Sequence, residues 1–344
     1  VTRSRNGAAA ERESPPPGLI REGRDADAKG FIALIGACWA EYPGCVMDVD
    51  GEVPELRALA THFAGQGGML RAAERDGQVA GMVGTKPIGD GAWEICRMYL
   101  AAGERGTGLA QRLLDTAEAH AKAAGAERLV LWSDTRFDRA HRFYEKQSYV
   151  RQGAIRALGD LSNSLEYRYA KPARGLVVEA LDAAAAASAE RRLAEILVAC
   201  VAAGASVSFL PPLEMDKARG FWRKVAKDVA AGGRVLLAAW LDGALVGTAQ
   251  LALDMPENQP HRADVAKVLV HPAARRAGIG RALMRRVEAE ARARGRRLLV
   301  LDTAGDAAER LYRATGWQEA GTIPGFALDG HGGELATIFF WKRV

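Results

Sequence analysis

The sequence predicts a fold of the α+β or α/β class laid down twice, each copy a mixed, mostly antiparallel sheet flanked by helices. Three observations carry that expectation. Ordered motifs recur at an offset of about 170 residues. Each copy places an Asp-Gly pair between two apolar runs, and each then opens an amphipathic helix on a glycine-rich turn. The chain of 344 residues is also long for one domain and comfortable for two.

Residues 1–18 are polar and rich in Ala, Arg and Pro, with no apolar core of a signal peptide, and read as a disordered tail. The segment 31–66 reads as helices and loops. Asp76-Gly77 favours the positive φ of a tight turn and predicts a hairpin between Met69–Ala73 and Val79–Val83. A further strand ends at Met98-Tyr99-Leu100. The turn Arg105-Gly106-Thr107-Gly108-Leu109-Ala110 then starts a helix whose apolar face is Leu109, Leu113, Ala117 and Ala121, closing at Gly125. A strand over Leu129–Trp132 leads to Asp134, Thr135, Asp138, Ala140, Arg142 and Tyr144 on a last helix, and Ser164–Tyr169 reads as a strand.

The second copy follows the same order. An Ala-rich helix is predicted over Ala183–Ala203, and the region 183–231 stands where 31–66 does. Asp242-Gly243 joins the next hairpin, and a strand ends at Val268-Leu269-Val270. Arg275-Arg276-Ala277-Gly278-Ile279-Gly280 opens a helix with Ile279, Leu283, Val287 and Ala291 on one face, closing at Gly295. Leu298–Leu301, then Asp302, Thr303, Asp306, Ala308, Arg310 and Tyr312, complete the parallel. The boundary falls near Lys171–Gly175, giving domains 19–172 and 173–344.

Composition narrows the function classes. The chain is 49% hydrophobic and 26% charged, with 47 Lys+Arg against 42 Asp+Glu. A formal charge of +5 suits a small anionic ligand and does not demand nucleic acid, for which no recognition module or basic-aromatic interleaving is visible. The four cysteines have no paired spacing and the six histidines no metal-binding pattern. Reduced, mostly buried thiols, no metal and a cytoplasmic location are expected. The longest uncharged stretch, from Ile196 to Leu213, is broken by Gly204 and Pro211-Pro212, so no membrane span is expected.

The R-x-x-G-x-G/A turn chemistry is weak evidence singly. It strengthens because both copies lie between a strand and the first turn of a helix, where unpaired N–H groups and the helix dipole favour a phosphate. The dinucleotide pattern G-x-G-x-x-G would need Gly or Ala at Gln111 and Leu283, and no G-x-x-x-x-G-K-S/T occurs.

At these motifs each half resembles the GNAT superfamily of acyl-CoA N-acyltransferases, over nearly all of residues 19–344. The second half is similar to tabtoxin-resistance-type acetyltransferases through Phe221–Val225, Met255–His261, Val265–Gly280 and Ile323–Gly325. The resemblance implies an acetyl-CoA-dependent N-acetyltransferase acting on a primary amine of a small molecule. It implies that Arg105, Gly106, Thr107, Gly108, Leu109 and Ala110, and Arg275, Arg276, Ala277, Gly278, Ile279, Gly280 and Arg281, hold the cofactor's phosphates. Backbone groups of Met98, Tyr99 and Leu100, and of Val268, Leu269 and Val270, would hold the pantetheine arm.

No Ser-His-Asp or Cys-His arrangement is visible, which favours direct attack by the amine. Glu94 lies eleven residues before Arg105 and Asp264 eleven before Arg275, where the family commonly places a carboxylate base. Tyr144 and Tyr312 stand where it places the acid that protonates the leaving thiolate. Asp138 and Asp306 are expected to be N-caps, and Arg281, Arg285 and Arg286 either meet a 3′-phosphate or form a solvated face. Ser148 and Ala110 replace the glycines found at Gly316 and Gly280, so the first half's pocket is expected to be less open and the C-terminal half to be the active one. A non-catalytic acyl-CoA platform and a protein N-acetyltransferase are the rival readings. Self-association into a homo-oligomer is left open by the sequence.

Overall fold

The computed structural model describes residues 19–344, so the expected disordered tail at 1–18 lies outside the described residues. Two compact units divide the chain: residues up to Lys86 with Ile95–His120, and Pro87–Glu94 with Ala121–Val344. Two strands and one helix of the first half contribute to both.

The first unit contains β1 (Leu19–Glu22), α1 (Ala28–Trp39), α2 (Leu59–Gly65), β2 (Met69–Arg75), most of β3 (Gln78–Gly89), the end of β4 (Ala92–Leu100) and most of α3 (Leu109–Ala123). Asp76 and Gly77 have φ of 51° and 74°, the left-handed pair that a two-residue hairpin with matching strand twist needs. Phe31, Ile35, Leu56, Leu59, Phe63 and Met82 are the centre of its core. The helical face expected at Leu109, Leu113, Ala117 and Ala121 is buried at every position.

Besides the end of β3, the start of β4 and the end of α3, the second unit contains β5 (Arg128–Asp134), α4 (Asp138–Lys146), the two-residue strands β6 (Val150–Arg151) and β7 (Arg156–Ala157), and β8 (Leu165–Pro172). It continues through β9 (Leu176–Leu181), α5 (Ala183–Ser188), α6 (Glu190–Ala202), α7 (Met215–Ala230), β10 (Arg234–Leu241), β11 (Ala244–Ala252) and β12 (Arg262–Val270). It ends with α8 (Ile279–Ala293), β13 (Leu298–Thr303), α9 (Asp306–Ala314), β14 (Gln318–Leu328) and β15 (Glu334–Arg343). Strand order is β14-β15-β13-β12-β11-β10-β9 in the second half and β1-β2-β3-β4-β5-β8-β6 in the first, with β7 on β8. Counted within each half, the order is the same. The pairs β4–β5 and β12–β13 are parallel because a helix crosses over between their strands, whereas β1–β2, β2–β3, β5–β8, β6–β8 and β7–β8 in the first half, and β9–β10, β10–β11, β11–β12, β13–β15 and β14–β15 in the second, are antiparallel.

Both crossover helices end alike. Ala126 and Gly125 donate back to Ala121 and Lys122, and Arg296 and Gly295 to Ala291 and Arg292, the paired bonds of a Schellman ending at the predicted glycines.

Two expectations are corrected. The Ala-rich segment is two helices, broken at Ala189, because Asp182 caps Ala185 N–H and starts a short first helix that ends after Ser188. Asp138 and Asp306 are not N-caps. Phe137 and Gly305 hold those positions, and neither acid caps through its side chain. Each acid is the first helical residue, where the helix dipole still favours a negative charge.

Candidate acyl-transfer site

In the second half, the turn after β12 is a run of unpaired amides. Arg275 N–H bonds back to Pro272 and Ala282 N–H to Gly278, but the N–H groups of Arg276, Ala277, Gly278, Ile279, Gly280 and Arg281 have no backbone acceptor. Arg276 and Gly278 take φ of 70° and 77°, which folds these amides into a concave nest at the N-terminus of α8. Such a nest fits a pyrophosphate. Gly280 serves differently from expectation. A Cβ there would stand 3.0 Å from Leu311 Cδ2, so this glycine lets α8 approach α9 rather than opening a pocket.

The strand leading into the nest is broken twice. Register with β13 covers only Arg262–Asp264 against Leu298–Val300, so beyond Asp264 that edge of β12 is free of ladder bonds. The register with β11 also slips by one residue, and Lys267 at the slip has φ of 51°. Val268, Leu269 and Val270 follow this bulge, and Val268 and Val270 pack against the core under α8 to which Tyr312 belongs. The acyl-handling edge expected from the sequence is therefore an interrupted strand, with backbone groups available to a ligand.

Asp264 is the last residue in register with β13 and its side chain is 42% exposed. Burial pushes its carboxyl above the usual range, the ion pair with Arg262 opposes that, and Asp302 adds to it. Tyr312 is 5% exposed, its ring tilted against Trp317 and Phe340. Burial, helped by the charge of Asp302, pushes its phenol up, so it keeps its proton. Lys267, whose ammonium burial pulls down, also faces Asp302. Asp302 thus acts through space on all three groups. The sequence offered it only as a repeated motif residue, and Lys267 carried no signal at all, because no glycine marks the left-handed turn.

On α8, Arg286 pairs with Glu290, while Arg281 and Arg285 are exposed. Cys200 is buried and donates to Val270 O, and Cys38 does the same to Leu100 O; Cys38, Cys45 and Cys96 are half-buried, less than expected. Among the described residues no cluster could hold a metal.

The first-half residues divide between the units. Met98, Tyr99, Leu100 and the loop Arg105 to Ala110 lie in the first unit, Glu94 and Tyr144 in the second. In the loop Gly106 and Gly108 have φ of 80° and 85°, at the positions of Arg276 and Gly278. Its nest is less open, since Thr107 N–H bonds to Glu104 O and Leu109 N–H to Thr107 Oγ1. Arg105 is held by Glu41 at 2.5 and 2.9 Å, and Arg97, with φ of 50°, by Glu55 at 2.5 Å. Glu94 is half-buried in register with Val130, as Asp264 is with Val300, and Tyr144 is 7% exposed. Ser148 has a physical reason. Its φ is 68°, its hydroxyl accepts from Leu245 N–H at 3.0 Å, and its carbonyl accepts from Trp240 Nε1 at 3.1 Å. The serine joins α4 to the second half's hairpin.

Residues 33–149 and 207–317 match the model of the acetyltransferase (GNAT) family. An N-acetyltransferase of Azospirillum brasilense, described as uncharacterized and lying between hisH and hisA, is 36% identical over 104 residues, 30% of this chain and 60% of the relative. Among solved structures, a ribosomal-protein-alanine N-acetyltransferase of Brucella melitensis is 25% identical, with a TM-score of 0.42 over 49% of this chain and 99% of its own. A phosphinothricin acetyltransferase of Sinorhizobium meliloti, in complex with acetyl-CoA, is 21% identical, with a TM-score of 0.41 over 49% of this chain and 88% of its own.

Proposed function

The chain belongs to the GNAT family of acetyltransferases, whose acetyl donor is acetyl-CoA, and from that premise we propose that its C-terminal half, 173–344, acetylates a primary amine of a small molecule by direct attack. The observation that carries this reading is the second half's break in β12. It sets an amide nest, a free strand edge, Asp264 and Tyr312 on one stretch of sheet and the two helices beside it.

Acetyl-CoA supplies the activated acetyl group. The nest from Arg276 to Arg281 holds its phosphates, and the free edge of Val268–Val270 offers amide dipoles to the carbonyl oxygen where negative charge develops. Asp264 receives the proton that the acceptor ammonium must lose, directly or through one water. Its raised pKa makes it a better base than an exposed carboxylate. Tyr312 keeps its proton because burial and Asp302 disfavour the phenolate, and delivers it to the departing thiolate. No helix among the described residues is long and apolar enough to cross a membrane. The free cysteines fit a reducing compartment, and we place the enzyme in the cytoplasm.

A thiol-release assay with acetyl-CoA and a panel of small amines tests this. Turnover should fall by about 100-fold or more in Asp264→Asn and fall also in Tyr312→Phe. Undiminished rates in both variants, or a wild-type protein that releases no thiol on any amine, would sink the reading.

A further inference from the structure

We propose that Lys267 binds a carboxylate of the acceptor, so that the amine acetylated belongs to an amino-acid-like molecule and not to a polyamine. This rests on the C-terminal half being the transferase.

Backbone geometry puts the ammonium where it can do this. Along β12, Ala263 and Val265 point into the core beneath α8. Regular alternation would send residue 267 the same way. The bulge reverses the count there: Val268 and Val270 take the α8 side, while Leu269 joins the core of α6 and α7 on the opposite face. Lys267 lies on that opposite face too, with its ammonium 3.2 Å from Ser208 Oγ and 5.8 Å from the centre of the Phe221 ring. Asp264 alternates onto the same side, three residues away. A left-handed, non-glycine residue has thus diverted a lysine out of the core and into the region 183–231 beside the base.

Its partners there are incomplete. Ser208 gives one hydroxyl and Phe221 an aromatic face. No carboxylate of a described residue lies within ion-pair distance of Lys267, Asp302 acting only through space. A cation taken partly out of water, without an anion in contact, is completed by a ligand that brings one.

The first half shows what completes it. Arg97 occupies the equivalent position with nearly the same φ, and Glu55, from the segment 31–66, sits on it at 2.5 Å. In that copy the protein's own carboxylate fills the place that the second copy leaves for a ligand. An α-amino acid carries its amine and its carboxylate on one carbon, so one molecule can reach Asp264 and Lys267 together.

Matched acceptors test the assignment: leucine against isoamylamine, phenylalanine against phenethylamine, with spermidine as a third kind. The wild-type enzyme should prefer each acid by about 10–100-fold in kcat/KM, the range of a charge-assisted contact. Lys267→Met should erase that preference, raising KM for the acid while changing the amine less than about 3-fold, and Lys267→Arg should restore most of it. Equal losses on acid and amine would reduce Lys267 to a strut for the Ser208 loop and overturn the proposal. So would wild-type turnover of amines or spermidine as fast as the acids, which would leave the transferase reading standing. A protein that binds acetyl-CoA yet acetylates neither member of any pair defeats both.

Discussion

In the first half Arg97 meets Glu55, Arg105 meets Glu41 and Arg136 meets Asp134; at the equivalent places of the second half Lys267, Arg275 and Asp302 make no ion pair, and Ala304 stands where Arg136 does. The strand order, the left-handed bulge, the hairpin glycines Gly77 and Gly243 and the nest glycines Gly108 and Gly278 are otherwise shared. The duplicated scaffold has therefore been kept while its charges were reassigned. Backbone requirements such as a positive φ are local and persist with one or two residues. A charge becomes available or committed through a single distant substitution. Asp134 illustrates the commitment: burial pushes its carboxyl up, but side-chain and backbone hydrogen bonds from Arg136 outweigh it and hold the group below its usual range. Asp302 has no such partner and is exposed, free to act on Asp264, Lys267 and Tyr312.

The contrast breaks most sharply at the proposed bases. Asp264→Asn should cost about 10²–10⁴-fold in kcat/KM, and Glu94→Gln should leave the same assay within about 3-fold; a reversed ranking would move catalysis to the first half. The pH profile sharpens the point. A base must be ionised, so wild-type kcat/KM should fall as pH drops through the raised pKa of Asp264, and the Asn variant should lose that limb. Tyr312→Phe should cost less, about 10–100-fold, against little change for Tyr144→Phe. Ser148→Ala should leave rates alone and lower stability by about 1–3 kcal/mol, because Leu245 N–H is then buried without an acceptor; thermal denaturation measures it, and an unchanged midpoint would deny the serine its joining role. The smallest effect is expected at Glu41→Gln. Freeing Arg105 from a half-exposed pair should raise the first half's affinity for coenzyme A by about two- to five-fold in calorimetry.

Much of this architecture was legible in the residues. Asp-Gly pairs announce left-handed turns, the 3.6-residue spacing of Ile279, Leu283, Val287 and Ala291 announces a buried helix face, and Gly125 and Gly295 announce helix ends. The amide nest could be read because Gly108 and Gly278 mark it. The bulge could not, since Arg97 and Lys267 adopt a glycine-like φ without being glycine, and only strand pairing on both sides reveals them. Glu41 and Glu55 were equally hidden. They act on residues 64 and 42 positions away, and a contact over that distance leaves no periodicity. In the sequence Ser148 and Gly280 bear on pocket openness, whereas in the structure each answers to packing: one to the neighbouring hairpin, the other to Leu311.

The decisive measurement compares two substitutions of one chemistry, Gly278→Asp and Gly108→Asp, in steady-state thiol release with a single accepted amine. Each sets a carboxylate where a phosphate would rest and strains a φ of 77° or 85°. The proposal expects turnover to vanish in Gly278→Asp and to persist in Gly108→Asp. Turnover that survives the first and disappears with the second would contradict it.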